Sequence, residues 1–220
     1  SKPPSGGRGP RGSKRPRVFF GKTMKICCID FETANRARGS ACAVGLAWIE
    51  DGELAGSVGR LIRPHHSCDQ FDSFNIGIHG IHPRDVADAP EFGELAPWLF
   101  GMLKADLVVA HNAAFDMSVL RALCELYGLA YPRIEYLCSC KSAMRLWPEM
   151  VNHKLDTLAS RIGCEFEHHD AEADAATAGK LLLAMLNAAG NRDPFDFAAR
   201  LGITIGTMDG AYYTPCSCRK

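Results

Sequence analysis

The chain has 220 residues, 47% of them hydrophobic, with 25 basic and 25 acidic side chains and a formal net charge of zero. That is enough apolar material for one ordinary domain with a buried core. No apolar run approaches the roughly 18 residues that span a membrane, and Val18-Phe19-Phe20 is too short for a signal-peptide core, so a cytoplasmic protein without a membrane partner is expected.

The neutral total hides an asymmetry. Residues 1–22 hold seven bases (Lys2, Arg8, Arg11, Lys14, Arg15, Arg17 and Lys22) and no acid, leaving 18 bases against 25 acids in the rest. Residues 1–17 are rich in Pro, Gly, Ser, Lys and Arg, which predicts a disordered basic arm that touches a polyanion or serves as a linker. The chain begins at Ser1, as a processed chain or an excised piece of a longer one would.

The fold is expected to start near Thr23. Met24 to Asp30 reads as a buried strand, and Ala41 to Ile49 with Leu54 to Ile62 as a hairpin closed around Glu50-Asp51-Gly52. Residues 63–90 carry many Pro, His, Asp and Gly residues, predicting an irregular segment with at most a short helix near Pro83-Arg84-Asp85. Apolar spacing then predicts a helix over Glu91 to Lys104, a short strand at Leu107-Val108-Val109-Ala110, and a helix from Phe115 to Tyr127 stopped by Gly128. A strand at Ile134 to Cys138 and helices at 139–146, 154–162 and 170–189 follow. Residues 191–220 show no comparably strong periodic element and read as a packed C-terminal extension or a linker. Strands first, then helices alternating with strands, imply an α/β fold with a mixed sheet covered by helices.

Of the ten cysteines, several lie in apolar runs such as Ile26-Cys27-Cys28-Ile29, where a thiol behaves as a small hydrophobe. Cys138-Ser139-Cys140 and Cys216-Ser217-Cys218 have one intervening residue, where structural zinc sites have two to four. Reduced thiols are the expectation.

Asp30 and Glu32 sit at the end of the first strand, where period-two geometry points both from one face toward a shared hard cation. Acids at the end of a strand covered on both faces lie where open α/β sheets hold ligands. Asp116 follows the fourth strand near a helix start, a place that also suits a first-turn acid. Asp170 is a natural N-cap for the last long helix, Glu172 falls in its solvated first turn, and Asp174 lies one turn in. His169, rather than its neighbour His168, falls within a turn of Asp174. Four acids and one histidine suit metal-assisted phosphodiester hydrolysis: hard carboxylates hold two divalent cations, and a neutral imidazole takes a proton from water.

These residues occur in a known order. Asp30-Phe31-Glu32-Thr33, His111-Asn112-Ala113-Ala114-Phe115-Asp116 and His169-Asp170-Ala171-Glu172-Ala173-Asp174 resemble the three motifs of the DEDDh 3′–5′ exonucleases, most nearly the proofreading, epsilon-type subunit of bacterial DNA polymerase III. The resemblance covers roughly Met24 to Leu186, with residues 23–190 taken as the exonuclease domain between the arm (1–22) and the C-terminal segment (191–220). It implies a ribonuclease H-like fold, a mixed five-stranded sheet flanked by helices on both faces. It also implies two Mg²⁺ or Mn²⁺ ions held by Asp30, Glu32, Asp116 and Asp174, with His169 as general base. Ile78-His79-Gly80-Ile81 is similar to the segment that contacts the terminal nucleotide, and Asn152-His153-Lys154-Leu155-Asp156-Thr157-Leu158 to the helix before the third motif. Thr33, His79 and Phe115 would then touch the 3′-terminal nucleotide. The chain departs from the pattern after Thr33, where Ala34-Asn35 and a basic loop, Arg36-Ala37-Arg38, replace the Thr or Ser and Gly of many relatives.

The expected activity is release of nucleoside 5′-monophosphates from the 3′ end of single-stranded or frayed DNA, in proofreading or repair, with a DNA polymerase as a candidate partner. The rival readings are an exonuclease for oligoribonucleotides or RNA tails, and a nucleic-acid- or polymerase-binding module without turnover.

Overall fold

The structure is a computed structural model, and residues 24–165 and 169–219 are described. The basic arm and His168 lie outside the described residues.

The first strand, β1 (Ile26–Thr33), is buried at every position up to Asp30, as its unbroken apolar run requires. It pairs antiparallel with β2 (Ala41–Glu50), which turns into β3 (Glu53–Leu61) through Asp51 and Gly52. Both turn residues have positive φ, 54° and 80°, the backbone of a tight two-residue hairpin. A short helix, α1 (Ser73–His79), and the amphipathic α2 (Phe92–Met102) lead into β4 (Leu107–Ala110), which lies parallel to β1. Then come α3 (Ala114–Leu126), β5 (Tyr131–Cys138) parallel to β4, α4 (Ser139–Leu146), α5 (Leu155–Arg161) and the long α6 (Ala171–Ala188).

The expectation of five strands is corrected: the main sheet has seven, in the order β3-β2-β1-β4-β5-β7-β8. The two extra strands come from the segment whose periodicity was weak, which also forms α7 (Pro194–Arg200) and β6 (Ile203–Thr204). There β7 (Gly206–Gly210) pairs antiparallel with β5, and β8 (Tyr212–Thr214) closes the edge. A strand of two residues, β9 (Ser217–Cys218), pairs with β6 apart from the main sheet. The segment is fastened by Tyr136, whose hydroxyl accepts the Cys216 N–H at 3.1 Å while its ring stacks on Tyr213. A second correction concerns 63–90: the helix there is α1, not near Pro83, where the chain only turns.

The packing of α6 determines the site. It crosses β1, β2 and β3, and its small residues Ala171, Ala175, Ala178 and Gly179 let it approach closely. Asp30 pairs with Gly45, and Gly45 with Gly59, so these three share one row and one face. The two glycines open a trough beside Asp30. A Cβ at Gly45 would lie 1.8 Å from the Ala171 carbonyl oxygen, and one at Gly59 would lie 3.2 Å from the Glu172 Cβ. The start of α6 drops into this trough.

Among the described residues, no helix is long and apolar enough to cross a membrane. All ten cysteines are free, and burial pushes the thiols of Cys27 and Cys124 up to about 12, which keeps them protonated and unreactive.

Candidate active site

The parallel strands β1 and β4 end on the same edge of the sheet. Their pairing stops at Cys28 and Val109, so the Phe31 N–H beyond it has no strand partner. Asp116 takes that role: from the first turn of α3 its Oδ1 accepts the Phe31 N–H at 3.0 Å. The turn that delivers it needs a left-handed residue, supplied by Asn112 with φ 57°. His111 braces the same turn, one ring nitrogen against the Ser139 hydroxyl at 2.9 Å and the other against the His153 carbonyl at 3.0 Å.

Asp116 is buried, and its Oδ2 has no hydrogen-bond partner among the described residues. Burial pushes its carboxyl up to about 7, against the opposing pull of the Phe31 amide and of Arg38. A buried carboxylate oxygen aimed at no donor fits a cation site.

At the other side stands α6. Asp170 caps it by accepting the Ala173 N–H at 2.9 Å, as expected. His169, just outside the helix, has φ 69°, an uncommon backbone for a non-glycine residue. Glu32, His169 and Asp174 each place a ligand atom within 4.8 Å of the other two, a spacing that can hold a metal ion. Asp30 lies outside that set of three but feels it. Burial first, then the charges of Asp116, Asp174, Glu32 and Asp170, hold its carboxyl well above the usual range. Burial and the charges of Asp174, Asp116 and Asp170 push Glu32 up to about 8. The four acids singled out in the sequence therefore come from three distant segments to act on one another, and His169 joins them through its closeness to Glu32 and Asp174.

Glu172 departs from its expected solvated position: it is half-buried and accepts a 2.7 Å hydrogen bond from the Ser57 hydroxyl, which ties the helix start to β3.

Thr33, His79 and Phe115 border the acids. The His79 Nδ1 accepts the Ile81 N–H at 3.0 Å, so its Nε2–H donates to the Thr33 carbonyl at 3.2 Å. Both ring nitrogens are thus engaged by backbone, and burial lowers its pKa, favouring the neutral ring. Asn75 also donates to the Thr33 carbonyl, at 2.8 Å. Phe115 is half-buried, with the Arg38 guanidinium 4.6 Å from its ring centroid. A cleft of about 470 Å³ opens nearby, bounded by His79, Ile81, His169 and Glu172.

Residues whose importance the motifs did not reveal are Gly45, Gly59 and Arg38. The glycines did leave a signal, because an isolated glycine within an apolar strand marks a close backbone approach.

The profile of the RNase_T exonuclease family matches residues 27–182. The chain belongs to that family. Its domain is of the DEDDh 3′–5′ exonuclease type, related to the exonuclease segment of PolC-type polymerases. It is 32% identical over 142 residues to a DNA polymerase III PolC-type of Oceanobacillus iheyensis, a match covering 61% of this chain and 9% of that protein. It is 29% identical over 167 residues to Exodeoxyribonuclease 10 of Escherichia coli K12, covering 74% of this chain and 69% of that one. Exonuclease X, solved in complex with 5′ overhanging duplex DNA, superposes with a TM-score of 0.66 at 25% identity, covering 80% of this chain and 99% of the other. The match thus spans only about a tenth of the polymerase and about two thirds of the exodeoxyribonuclease.

The acids of a DEDDh exonuclease are a burden on its metal-free fold. Between the ordinary carboxylate range and about 8, the folded chain keeps protons on Glu32 and Asp116 that the unfolded chain has released. Stability must therefore fall as pH rises through that window. In chelator, the Tm is expected to be higher near pH 5 than near pH 8, and Mg²⁺ or Mn²⁺ should raise it more at the higher pH. Equal metal responses at both pH values would count against this coupling.

Proposed function

We propose that this chain removes nucleoside 5′-monophosphates from the 3′ ends of single-stranded or frayed DNA. The observation that carries the reading is the convergence of Glu32, His169 and Asp174 beside the coupled carboxyls of Asp30 and Asp116. Asp30, Glu32, Asp116 and Asp174 would hold two Mg²⁺ or Mn²⁺ ions, with the unpartnered Asp116 Oδ2 as one ligand atom. When bound, such ions offset the charge of the phosphodiester and make water more acidic.

The protein's own groups supply the rest. His169, held against Glu32 and Asp174, takes the proton of the attacking water through its imidazole. Phe115 offers a ring face for the terminal base, and Thr33, braced by Asn75 and His79, borders the terminal sugar. His169→Ala is expected to slow kcat by about 10²–10⁴-fold. Imidazole added to the reaction is expected to restore part of that loss, and among substituted imidazoles the restored rate should rise with their basicity, as proton transfer requires.

DNA is favoured over RNA by the likeness to an exodeoxyribonuclease and to an exonuclease solved on DNA. The test is a comparison of matched DNA and RNA single strands with Mg²⁺ or Mn²⁺. Faster shortening of DNA is expected; faster shortening of RNA would transfer the reading to an exoribonuclease, whose site must accept a 2′-hydroxyl. Metal-independent binding without cleavage of either strand would favour the non-catalytic module. The likeness to PolC-type polymerases supports a DNA polymerase as partner, to be tested by co-elution with a replicative polymerase subunit.

A further inference from the structure

The loop that departs from the family pattern is a built structure. The Asn35 amide donates to the carbonyls of Cys68 and Gln70, and its Oδ1 accepts the Ala37 N–H at 2.8 Å. Ser40 closes the turn, its hydroxyl donating to the Ala37 carbonyl at 2.7 Å while its own carbonyl accepts the Ala34 N–H at 2.8 Å. The backbone of 34–40 is thus fastened to itself and to the 68–70 segment, and it presents Arg36 and Arg38 as exposed cations on a fixed frame.

Arg38 lies over the ring of Phe115, the half-buried residue before Asp116, at 4.6 Å from the ring centroid. A guanidinium placed there to neutralise the acids would take one of them in a two-pronged ion pair. Instead, Arg38 acts on Asp116 at a distance through its charge: among the described residues it forms no ion pair with the site carboxylates, and it rests on an aromatic face. At an exposed position such a contact is weaker than a charge-assisted bond to phosphate, and so is readily exchanged for one.

We propose that Arg38 is a substrate-binding residue whose guanidinium leaves the Phe115 ring when a base stacks there and takes the non-bridging oxygens of a phosphate next to the 3′-terminal nucleotide. This rests on the reading of Phe115 as the platform for the terminal base. The loop frame stays fixed and only the side chain moves. Arg38 then checks that a nucleotide is seated, because phosphate and ring cannot both hold the guanidinium.

The test measures binding of a fluorescent DNA single strand in Ca²⁺ by anisotropy, for wild type, Arg38→Ala and Arg38→Lys. Strands carry a neutral methylphosphonate at each of the terminal linkages in turn. Arg38→Ala is expected to weaken binding of the native strand by about tenfold to a hundredfold, and Arg38→Lys to recover only part. At one linkage the methylphosphonate should weaken binding by the wild type yet leave Arg38→Ala unchanged. Additive losses at every linkage, or a wild type that binds none of the strands, would overturn the proposal. Mg²⁺-dependent cleavage of the native strand is read in parallel. Coupling at one linkage without any cleavage would refute the exonuclease reading and leave the Arg38 contact standing, whereas cleavage with additive losses would do the reverse.

Discussion

Asp116→Asn is expected to lower 3′-end cleavage by at least about 10²–10³-fold while raising the melting temperature of the metal-free protein near pH 8. The two effects have one cause. The Asp116 Oδ1 accepts the Phe31 amide, a bond that an asparagine oxygen can keep, so the junction of β1 and α3 survives. Its Oδ2 is buried and unpartnered among the described residues, and the carboxyl is pushed up to about 7 by that burial. Near pH 8 the wild type must hold a charged carboxylate of which one oxygen is bonded by no group among the described residues. The amide removes that charge, which stabilises the fold, and puts a donor where a cation would bind, which abolishes the reaction. In a chain of this size each kcal/mol is worth roughly 2–4 °C, so a gain of a few degrees is measurable by calorimetry. Asp196→Asn, which removes the charge of an exposed ion pair with Arg200 and keeps an oxygen to accept the Asn191 amide, should change neither quantity. An Asp116→Asn protein that unfolds earlier than wild type in chelator would show that the carboxylate contributes to the fold rather than straining it.

The second large effect is expected far from any acid in the sequence. Gly45→Ala places a methyl group where the Ala171 carbonyl oxygen is 1.8 Å away, and backbone at the helix start has to move. Overpacking of this kind typically costs about 1–3 kcal/mol. More damaging is the shift it forces on α6, which carries Asp174 and follows directly from His169. A displacement on the order of 1 Å at reacting groups costs on the order of 10²-fold in rate. Gly101→Ala is the control: it lies in α2 with open space around a new Cβ, so activity should be unchanged and stability equal or slightly higher. Activity measured under saturating metal, together with the Tm, separates the two substitutions. Full activity in Gly45→Ala would mean that the helix start is not seated by the glycine trough.

Much of this site was legible because its chemistry is concentrated at the ends of strongly patterned elements. The apolar run Ile26 to Ile29 announced a buried strand, so the acids at Asp30 and Glu32 could be placed at a sheet edge. The Asp170 cap marked the start of α6, which put His169 and Asp174 within one turn of each other. What was not legible has equally physical reasons. Helix α1 buries no residue, so it leaves no apolar stripe to read, and polar contacts from Asn75 and His79 to the Thr33 carbonyl hold it in place. Strand β7, Gly-Thr-Met-Asp-Gly, is a poor strand by composition. It forms because β5 offers an open edge, and because Gly210-Ala211, with φ 63° at the glycine, makes the two-residue turn to β8, a hairpin signal that a search for periodicity passes over. The trough at Gly45 and Gly59 depends on a register between three strands, which spacing along one strand does not contain. Arg38 is near Phe115 only because a loop after β1 and the first turn of α3 meet at the sheet edge, a relation between segments 77 residues apart.

In the proposed function the converged acids and His169 cleave phosphodiesters from a 3′ end. The most direct measurement uses one DNA single strand labelled at its 5′ end and the same strand labelled at its 3′ end, incubated with Mg²⁺ and wild-type protein or Asp174→Ala. With wild type, the 5′ label should run down as a ladder of progressively shorter strands while the 3′ label appears at once as a nucleoside 5′-monophosphate; Asp174→Ala and excess chelator should each leave both strands intact. Internal cuts, shortening from the 5′ end, or cleavage that persists in Asp174→Ala would contradict the assignment of this site.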